Sequence, residues 1–291
     1  MPLRDILLAL LVVVIWGLNF VAIKWGVAEV SPFLLTALRY LGCALPAVFF
    51  VRKPKVPWAI LITYGFTVGV LQFSLLFSAV KLGMPAGLAS LVMQMQVFFT
   101  IGLAAVFLGE RPSPVQLSGA AVALFGLSVI GSEHLGGATF VPLVMTLLAS
   151  LSWGASNIVT KRAGRIDMFA FVVWGSLVPP LPMLALSLTL EGPGAVTALF
   201  AMSPQALFSV LFIAYGSTLI GYGIWAVLLG RHPASLVAPF SLLVPVIGFV
   251  AAAILLGEAV TPYEFAGSGL IFAGLLLNVF GPRLFPRTRG A

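Results

Sequence analysis

Charge is what this chain has least of. Only 8% of its 291 residues are Asp, Glu, Lys or Arg, while 61% are hydrophobic. A soluble domain carries about 25% charged and about 45–50% apolar residues. So few charges cannot cover a globule of this size, which leaves an integral membrane protein. Cysteine is nearly absent as well: Cys43 is alone and lies in an apolar run, so no intrachain disulfide forms. There is no Gly-x-x-x-x-Gly-Lys-[Ser/Thr] phosphate loop, hence no ATP drive within the chain. No metal-ligand cluster and no Cys/His/Asp constellation occurs, so the sequence supports neither an enzyme nor a cofactor nor a metal.

What is present is a series of ten apolar runs, at about 5–26, 32–52, 57–80, 84–108, 114–131, 141–162, 168–190, 205–229, 234–256 and 262–281. Each approaches the roughly 20 residues that cross a hydrocarbon core of about 30 Å. Prolines such as Pro32, Pro85, Pro114, Pro142, Pro204 and Pro262 fall at their starts, where a missing N–H is tolerated. The first run follows Arg4 as a secretory signal would, but it is too long and lacks a small-x-small cleavage site, so it reads as the first span. The only sizeable loop, Glu191 to Gln205, holds a short apolar piece at Ala195–Met202 suited to the membrane surface.

The net charge of +7 does not point to nucleic acid, because the cations sit at the ends of apolar runs. With the N-terminus in the cytoplasm, 12 cations lie inside (Arg4, Arg52, Lys53, Lys55, Arg111, Lys161, Arg162, Arg165, Arg231, Arg283, Arg287, Arg289) and 2 outside, Lys24 and Lys81. Arg39 lies within a span. That asymmetry predicts cytoplasmic termini. Most acids (Glu29, Glu133, Glu191, Glu258, Glu264) then fall outside.

Two motifs occur twice. Trp16-Gly17-Leu18-Asn19-Phe20-Val21-Ala22-Ile23-Lys24 returns 137 residues later as Trp153-Gly154-Ala155-Ser156-Asn157-Ile158-Val159-Thr160-Lys161. Leu108-Gly109-Glu110, with Pro114, Gly119 and Gly126, returns 148 residues later as Leu256-Gly257-Glu258, with Pro262, Gly267 and Gly274. The chain therefore divides into two related repeats, 1–132 and 133–291, of five spans each. Five is odd, so the halves face opposite ways. This all-α, inverted-topology build is common among secondary transporters, whose site lies near the bilayer midplane between the halves.

With these motifs in place the chain resembles the EamA type of the drug/metabolite transporter superfamily. The likeness rests on the Trp-Gly-x-Asn-Phe-x-x-x-Lys first helix, on Ser31-Pro32 followed by Arg39-Tyr40, and on Gly-Glu-x-x-[Ser/Thr]-Pro at 109–114 and 257–262. It covers nearly the whole chain. Tyr40 stands where such proteins commonly have Phe, and Trp174-Gly175-Ser176 fills the place of the arginine in the second half. The resemblance implies a ten-helix carrier of small metabolites working by alternating access in the bacterial cytoplasmic (inner) membrane. Many bacterial members export amino acids; others in the superfamily carry nucleotide-sugars, sugar phosphates or cationic drugs.

Candidate site residues follow from polarity within the spans. At helical spacing, Tyr64, Thr67, Leu71, Ser74 and Ser78 share one face of the third helix, and Tyr215, Thr218, Tyr222 and Trp225 one face of the eighth. Such faces line a cavity or make interhelical hydrogen bonds; Tyr215 also suits an interfacial aromatic belt. In the fourth helix, Gln94 and Gln96 are about 200° apart, so an α-helix cannot turn both toward one cavity. Met93 and Gln96 share a face with Thr100, and Gln94 shares one with Ser90. The methionine suits either a pliable site or packing. Trp16, Asn19, Trp153 and Asn157 come from the repeated first-helix motif; Asn suits a zwitterion or an interhelical clamp. Arg39, about 10 Å into its helix, either binds an anionic group or holds helices together. His232 suits the interface rather than a proton relay.

No Asp or Glu lies mid-span. That argues against obligatory proton antiport and polycationic substrates, and one deep cation argues against phosphate-rich ones. The expected partners are a small molecule, an amino acid or something similar, and membrane lipid, with the protein a monomer or homodimer. The leading reading is amino-acid export. Its rivals are a drug or nucleotide-sugar carrier and a non-transporting scaffold or flippase subunit. Pro179, Pro180 and Pro182 are expected to break the seventh helix, and Pro239 and Pro245 the ninth. Gly65 and Gly69 let the third helix approach a neighbour closely, and the paired glycines of the fifth and tenth helices serve packing or a dimer contact.

Overall fold

The repeated Gly-Glu-x-x-[Ser/Thr]-Pro motif is helix punctuation. Gly109 and Gly257 take the left-handed conformation, φ 67° and 65°, which only glycine adopts without strain. In each half the glycine N–H and the following glutamate N–H turn back to one carbonyl, that of Ala104 or Ala252, and end the helix. Two residues on, a capping box opens the next helix. Ser113 Oγ accepts from Gln116 N at 3.2 Å and Gln116 Oε1 from Ser113 N at 2.8 Å. Thr261 and Glu264 repeat both bonds at 3.1 Å, and the prolines sit in the first turn.

The computed structural model describes residues 1–134, 137 and 140–284. Arg287 and Arg289, counted above for orientation, lie outside the described residues, and so does the side chain of Arg283. Among the described residues ten helices are long and apolar enough to cross a membrane: α1 (Leu3–Glu29), α2 (Pro32–Phe50), α3 (Trp58–Lys81), α4 (Ala86–Leu108), α5 (Pro114–Glu133), α6 (Phe140–Arg162), α7 (Met168–Glu191), α8 (Pro204–Arg231), α9 (Ala238–Leu256) and α10 (Pro262–Gly281). The loop after α7 carries short helical turns at Gly194–Thr197 and Ala198–Ala201, with Phe200 fully turned outward.

Several spans are not uniform α-helix, and the irregularities repeat. A π-helical segment occupies Gly65–Gln72 in α3, and another Phe212–Gly221 in α8, at the 148-residue offset of the second motif. A 3₁₀ segment occupies Met93–Met95 in α4, and another Ala238–Leu243 in α9. Such segments change the angular phase of every residue beyond them. The even helical spacing assumed for α3, α4 and α8 therefore fails, with consequences for the site. α7 is interrupted between Gly175 and Pro180, as its prolines predict, and α9 becomes α-helical at Val244, just before Pro245.

Glycines set the closest approaches. A Cβ on Gly69 would lie 2.0 Å from Pro179 Cγ, and one on Gly65 2.5 Å from Gly175 O; the neighbour that α3 approaches is α7, at its break. The glycines of α5 and α10 are reciprocal. A Cβ on Gly119 would meet Gly274 O at 2.7 Å and one on Gly274 would meet Gly119 O at 2.5 Å, and Gly126 and Gly267 do the same at 2.6 and 2.5 Å. These glycines thus form a seam inside one chain, antiparallel and across the two halves.

Because a backbone carbonyl cannot yield as a side chain can, Gly274→Ala should cost about 1–3 kcal/mol. Gly102→Ala, with open space around it, should be neutral or stabilising. Thermal unfolding in detergent, followed by size-exclusion fluorescence, separates the two.

Candidate functional site

Between the halves lies a cavity of about 330 Å³, at the small end of the roughly 300–1,000 Å³ typical of small-molecule sites. Eight helices line it; α5 and α10 do not. α1 supplies Trp16, Asn19 and Phe20, α2 Arg39, α3 Gln72, Phe73 and Leu76, and α4 Ser90, Met93, Gln94 and Gln96. The second half supplies Trp153 and Asn157, Met168 and Val172, Ser217, Tyr222, Trp225, Ala226 and Leu229, and Ala238, Ser241 and Val244.

One wall is aromatic. The Trp16 ring lies 5.3 Å from that of Tyr222 and 5.1 Å from that of Trp225, and its indole Nε1–H donates to Ser217 O at 3.1 Å. Ser217 belongs to the π segment of α8, where i→i+5 bonding disturbs the regular ladder and makes carbonyls available. Gly221 leaves room for the indole: a Cβ there would sit 2.6 Å from Trp16 Nε1.

The fourth-helix amides reach the second half separately. Gln96 Oε1 accepts from Asn157 Nδ2 at 2.8 Å, and Thr100 Oγ1 accepts from the same nitrogen at 3.0 Å. Gln94 Nε2 donates to Ser241 O at 3.3 Å, within the 3₁₀ segment of α9. Both glutamines line the cavity, contrary to the α-helical expectation, because the 3₁₀ turn at Met93–Met95 overwinds the helix between their faces.

Arg39 is 2% exposed. Its guanidinium carbon lies 3.8 Å from the Phe73 ring centroid and 5.7 Å from that of Tyr40, a cation–π arrangement that covers the face of the cation. Among the described residues it is the one charged side chain lining the cavity, and no ion pair joins it.

Six of the sequence candidates lie away from the lining. Thr67 Oγ1 returns to its own helix, to Thr63 O at 2.8 Å and Tyr64 O at 3.0 Å. Ser74 does likewise toward Val70 O and Leu71 O, and Thr218 donates to Ile213 O at 2.9 Å. Tyr64 packs on Phe171 with ring centroids 4.5 Å apart, Tyr215 is 39% exposed, and Ser78 faces elsewhere. In α3 it is Gln72, Phe73 and Leu76 that face the cavity in place of the expected stripe; within the α-helical stretch Phe73–Lys81, Ser74 and Ser78 each lie about 200° from Leu76. Gln72 has its own sequence signal, as the one amide of α3, and Ser90 shares the Gln94 face. Ser217 and Ser241 had none, since their contribution is a backbone carbonyl.

At the loop ends, Asp5 accepts from His232 Nε2 at 2.6 Å and from Arg231 Nη1 at 3.3 Å, which fits an interfacial histidine. Lys161 pairs with Glu110. On the opposite face Lys24 Nζ donates to Met84 O at 3.4 Å.

Ten helices in two inverted halves, closed around one polar and aromatic cavity, define a membrane carrier of small molecules. The chain belongs to the EamA-like transporter family, whose model matches residues 3–132 and again 141–280. It is 48% identical to a protein of Salmonella typhimurium (strain LT2) named "Probable amino-acid metabolite efflux pump", over 97% of this chain and 96% of that one. An Escherichia coli (strain K12) protein of the same name is 45% identical over 96% of each. A solved crystal structure matches the fold with a TM-score of 0.65, covering 99% of both chains at 20% identity.

Asn157→Ala removes the cross-half bonds to Gln96 and Thr100 and should lower stability by about 1–3 kcal/mol. Ser74→Ala deletes only a bond to its own helix and should change it by less than about 0.5 kcal/mol. Thermal midpoints of the two purified variants check this.

Proposed function

We propose that the chain exports amino acids or closely related small metabolites across the bacterial cytoplasmic membrane, by alternating exposure of the central cavity. The observation that carries this reading is the cavity itself: shared by both halves, walled by aromatics and amides, and holding one buried cation. The names of the two relatives support the substrate class. The site is complete within one chain, so a monomer suffices. The absence of a carboxylate from the described lining supports movement down the substrate gradient rather than obligatory proton exchange.

The termini lie on the cytoplasmic side in this reading. The cavity then extends toward the cytoplasm, since its lining includes Met168 and Ala238, the first residues of α7 and α9, and Leu229, near the end of α8. The outer face is held shut by carboxylates that cross from one half to the other. Glu29 accepts from Ser203 N at 2.8 Å and Ser203 Oγ at 2.5 Å. Glu191 accepts from Ser31 Oγ at 2.5 Å and Phe33 N at 3.1 Å. Glu258 caps α4 through Ala86 N at 2.9 Å and Gly87 N at 3.1 Å, and Glu133, the last residue of α5 at the boundary of the halves, accepts from Thr261 Oγ1 at 2.6 Å. The acids that the sequence puts outside thus act as clasps between the halves.

Proteoliposome counterflow with labelled neutral amino acids should show saturable flux. Tyr222→Ala, which removes one aromatic of the wall, should reduce it about tenfold, the equivalent of roughly 1.4 kcal/mol. Flux competed by lipophilic cations or nucleotide-sugars and by no amino acid would overturn the reading, and so would the absence of any flux.

A further inference from the structure

Most amides of the cavity are paired within the protein: Gln96 with Asn157, and Gln94 with Ser241. Three side chains of the first half are different. Arg39 Nε and Nη1, Asn19 Oδ1 and Gln72 Oε1 are buried and have no hydrogen-bond partner. All three residues line the cavity, and they are 2%, 6% and 3% exposed. Among the described residues the other unpartnered buried atoms, on Ser187, Ser268 and Asn278, belong to α7 and α10 and lie outside the lining. An unmet buried polar atom destabilises the fold, an unmet buried charge most of all. Such a set persists where function requires it.

The set has a definite chemistry. It comprises the N–H donors of one cation and the oxygens of two neutral amides. The Phe73 ring occupies the face of the guanidinium at 3.8 Å, so hydrogen bonds are left to its edges. Those edges match a carboxylate, which a planar guanidinium binds through parallel N–H bonds. The two amide oxygens accept N–H bonds and suit an ammonium group. The aromatic wall of Trp16, Tyr222 and Trp225 lies in the same cavity and carries no charge.

We infer that Arg39 binds the α-carboxylate, and that Asn19 Oδ1 and Gln72 Oε1 bind the α-ammonium, of a zwitterionic amino acid whose uncharged side chain rests against the aromatic wall. This rests on the export reading above and deepens it: recognition falls on the part common to all amino acids, and the wall receives the variable part. The second half lacks an arginine at the equivalent place, so the anchor belongs to the first half alone. A substrate that lacks either charged group forfeits one set of partners.

The test is competition in proteoliposome counterflow. A panel of cysteine, serine, methionine, leucine and phenylalanine identifies the best-transported compound, and its decarboxylated amine and its deaminated acid are the competitors. In the wild type each analogue should compete about tenfold or more weakly than the amino acid, as loss of a charge-assisted set of hydrogen bonds requires. Arg39→Gln should erase the preference for the amino acid over the amine, and Arg39→Lys should restore part of it. Gln72→Glu, which leaves Arg39 in place, should shift preference toward the amine. Asn19→Leu should relax discrimination against the deaminated acid. If Arg39→Gln and Gln72→Glu both lower flux of all three compounds in parallel, or leave selectivity untouched, the assignment is overturned while amino-acid export stands. If the wild type moves no amino acid of the panel, the export reading itself fails.

Discussion

Inside a bilayer a polar group has no water to fall back on, so it must be satisfied within the protein. This one constraint orders most of what the chain does. Apart from Arg39, which lines the cavity, the charged side chains among the described residues are kept toward the helix ends, where several join one half to the other. Hydroxyls such as those of Thr67, Ser74 and Thr218 are folded back onto the carbonyls of their own helices. α5 and α10, which do not line the cavity, meet through bare glycine backbones. The polar cavity lies on the boundary between the halves.

The helical irregularities follow from the same constraint. Departures from α-geometry disturb the backbone ladder, and side chains from the facing helices bond to the carbonyls there. Trp16 donates to Ser217 O and Ser152 to Thr67 O, both in π segments, and Gln94 donates to Ser241 O in a 3₁₀ segment. Two of these three bonds cross into the cavity lining from opposite halves. The π segments of α3 and α8 and the 3₁₀ segments of α4 and α9 occur at matching places in each half and so belong to the repeated design, whereas the π segment at Ser187–Glu191 of α7 has no π counterpart in α2. Further asymmetry lies in the side chains: Gln94 and Gln96 face Leu242 and Val244 at the equivalent positions, and Arg39 has no counterpart.

Architecture was legible in the sequence because it is written in strong local signals. Apolar runs of the right length, prolines at helix starts, the Gly-Glu punctuation and the doubled motifs lead to ten spans in two inverted repeats. Of the site, the lining residues Trp16 and Asn19, Trp153 and Asn157, Arg39, and Tyr222 with Trp225 were legible as polar or aromatic groups within apolar spans. The α3 stripe was not: its hydroxyls at Thr67 and Ser74 bond to carbonyls of their own helix, and the face that lines the cavity carries Gln72, Phe73 and Leu76. The fourth-helix glutamines failed because of an overwound turn between them. No propensity in Met93-Gln94-Met95 announces that turn. The acids at these helix ends were visible, but the bonds they make join residues more than a hundred positions apart.

Those clasps bear on the central claim, that the two halves move against each other to expose the cavity to one side at a time. The most direct measurement joins the outer face covalently. With Cys43→Ser as background, cysteines at positions 29 and 203 replace the Glu29–Ser203 clasp and are linked with a short thiol cross-linker in proteoliposomes. If the cavity must open outward to release substrate, cross-linking stops amino-acid flux and cleavage of the linker restores it. Flux that continues at the unlinked rate in the fully cross-linked protein would contradict the account.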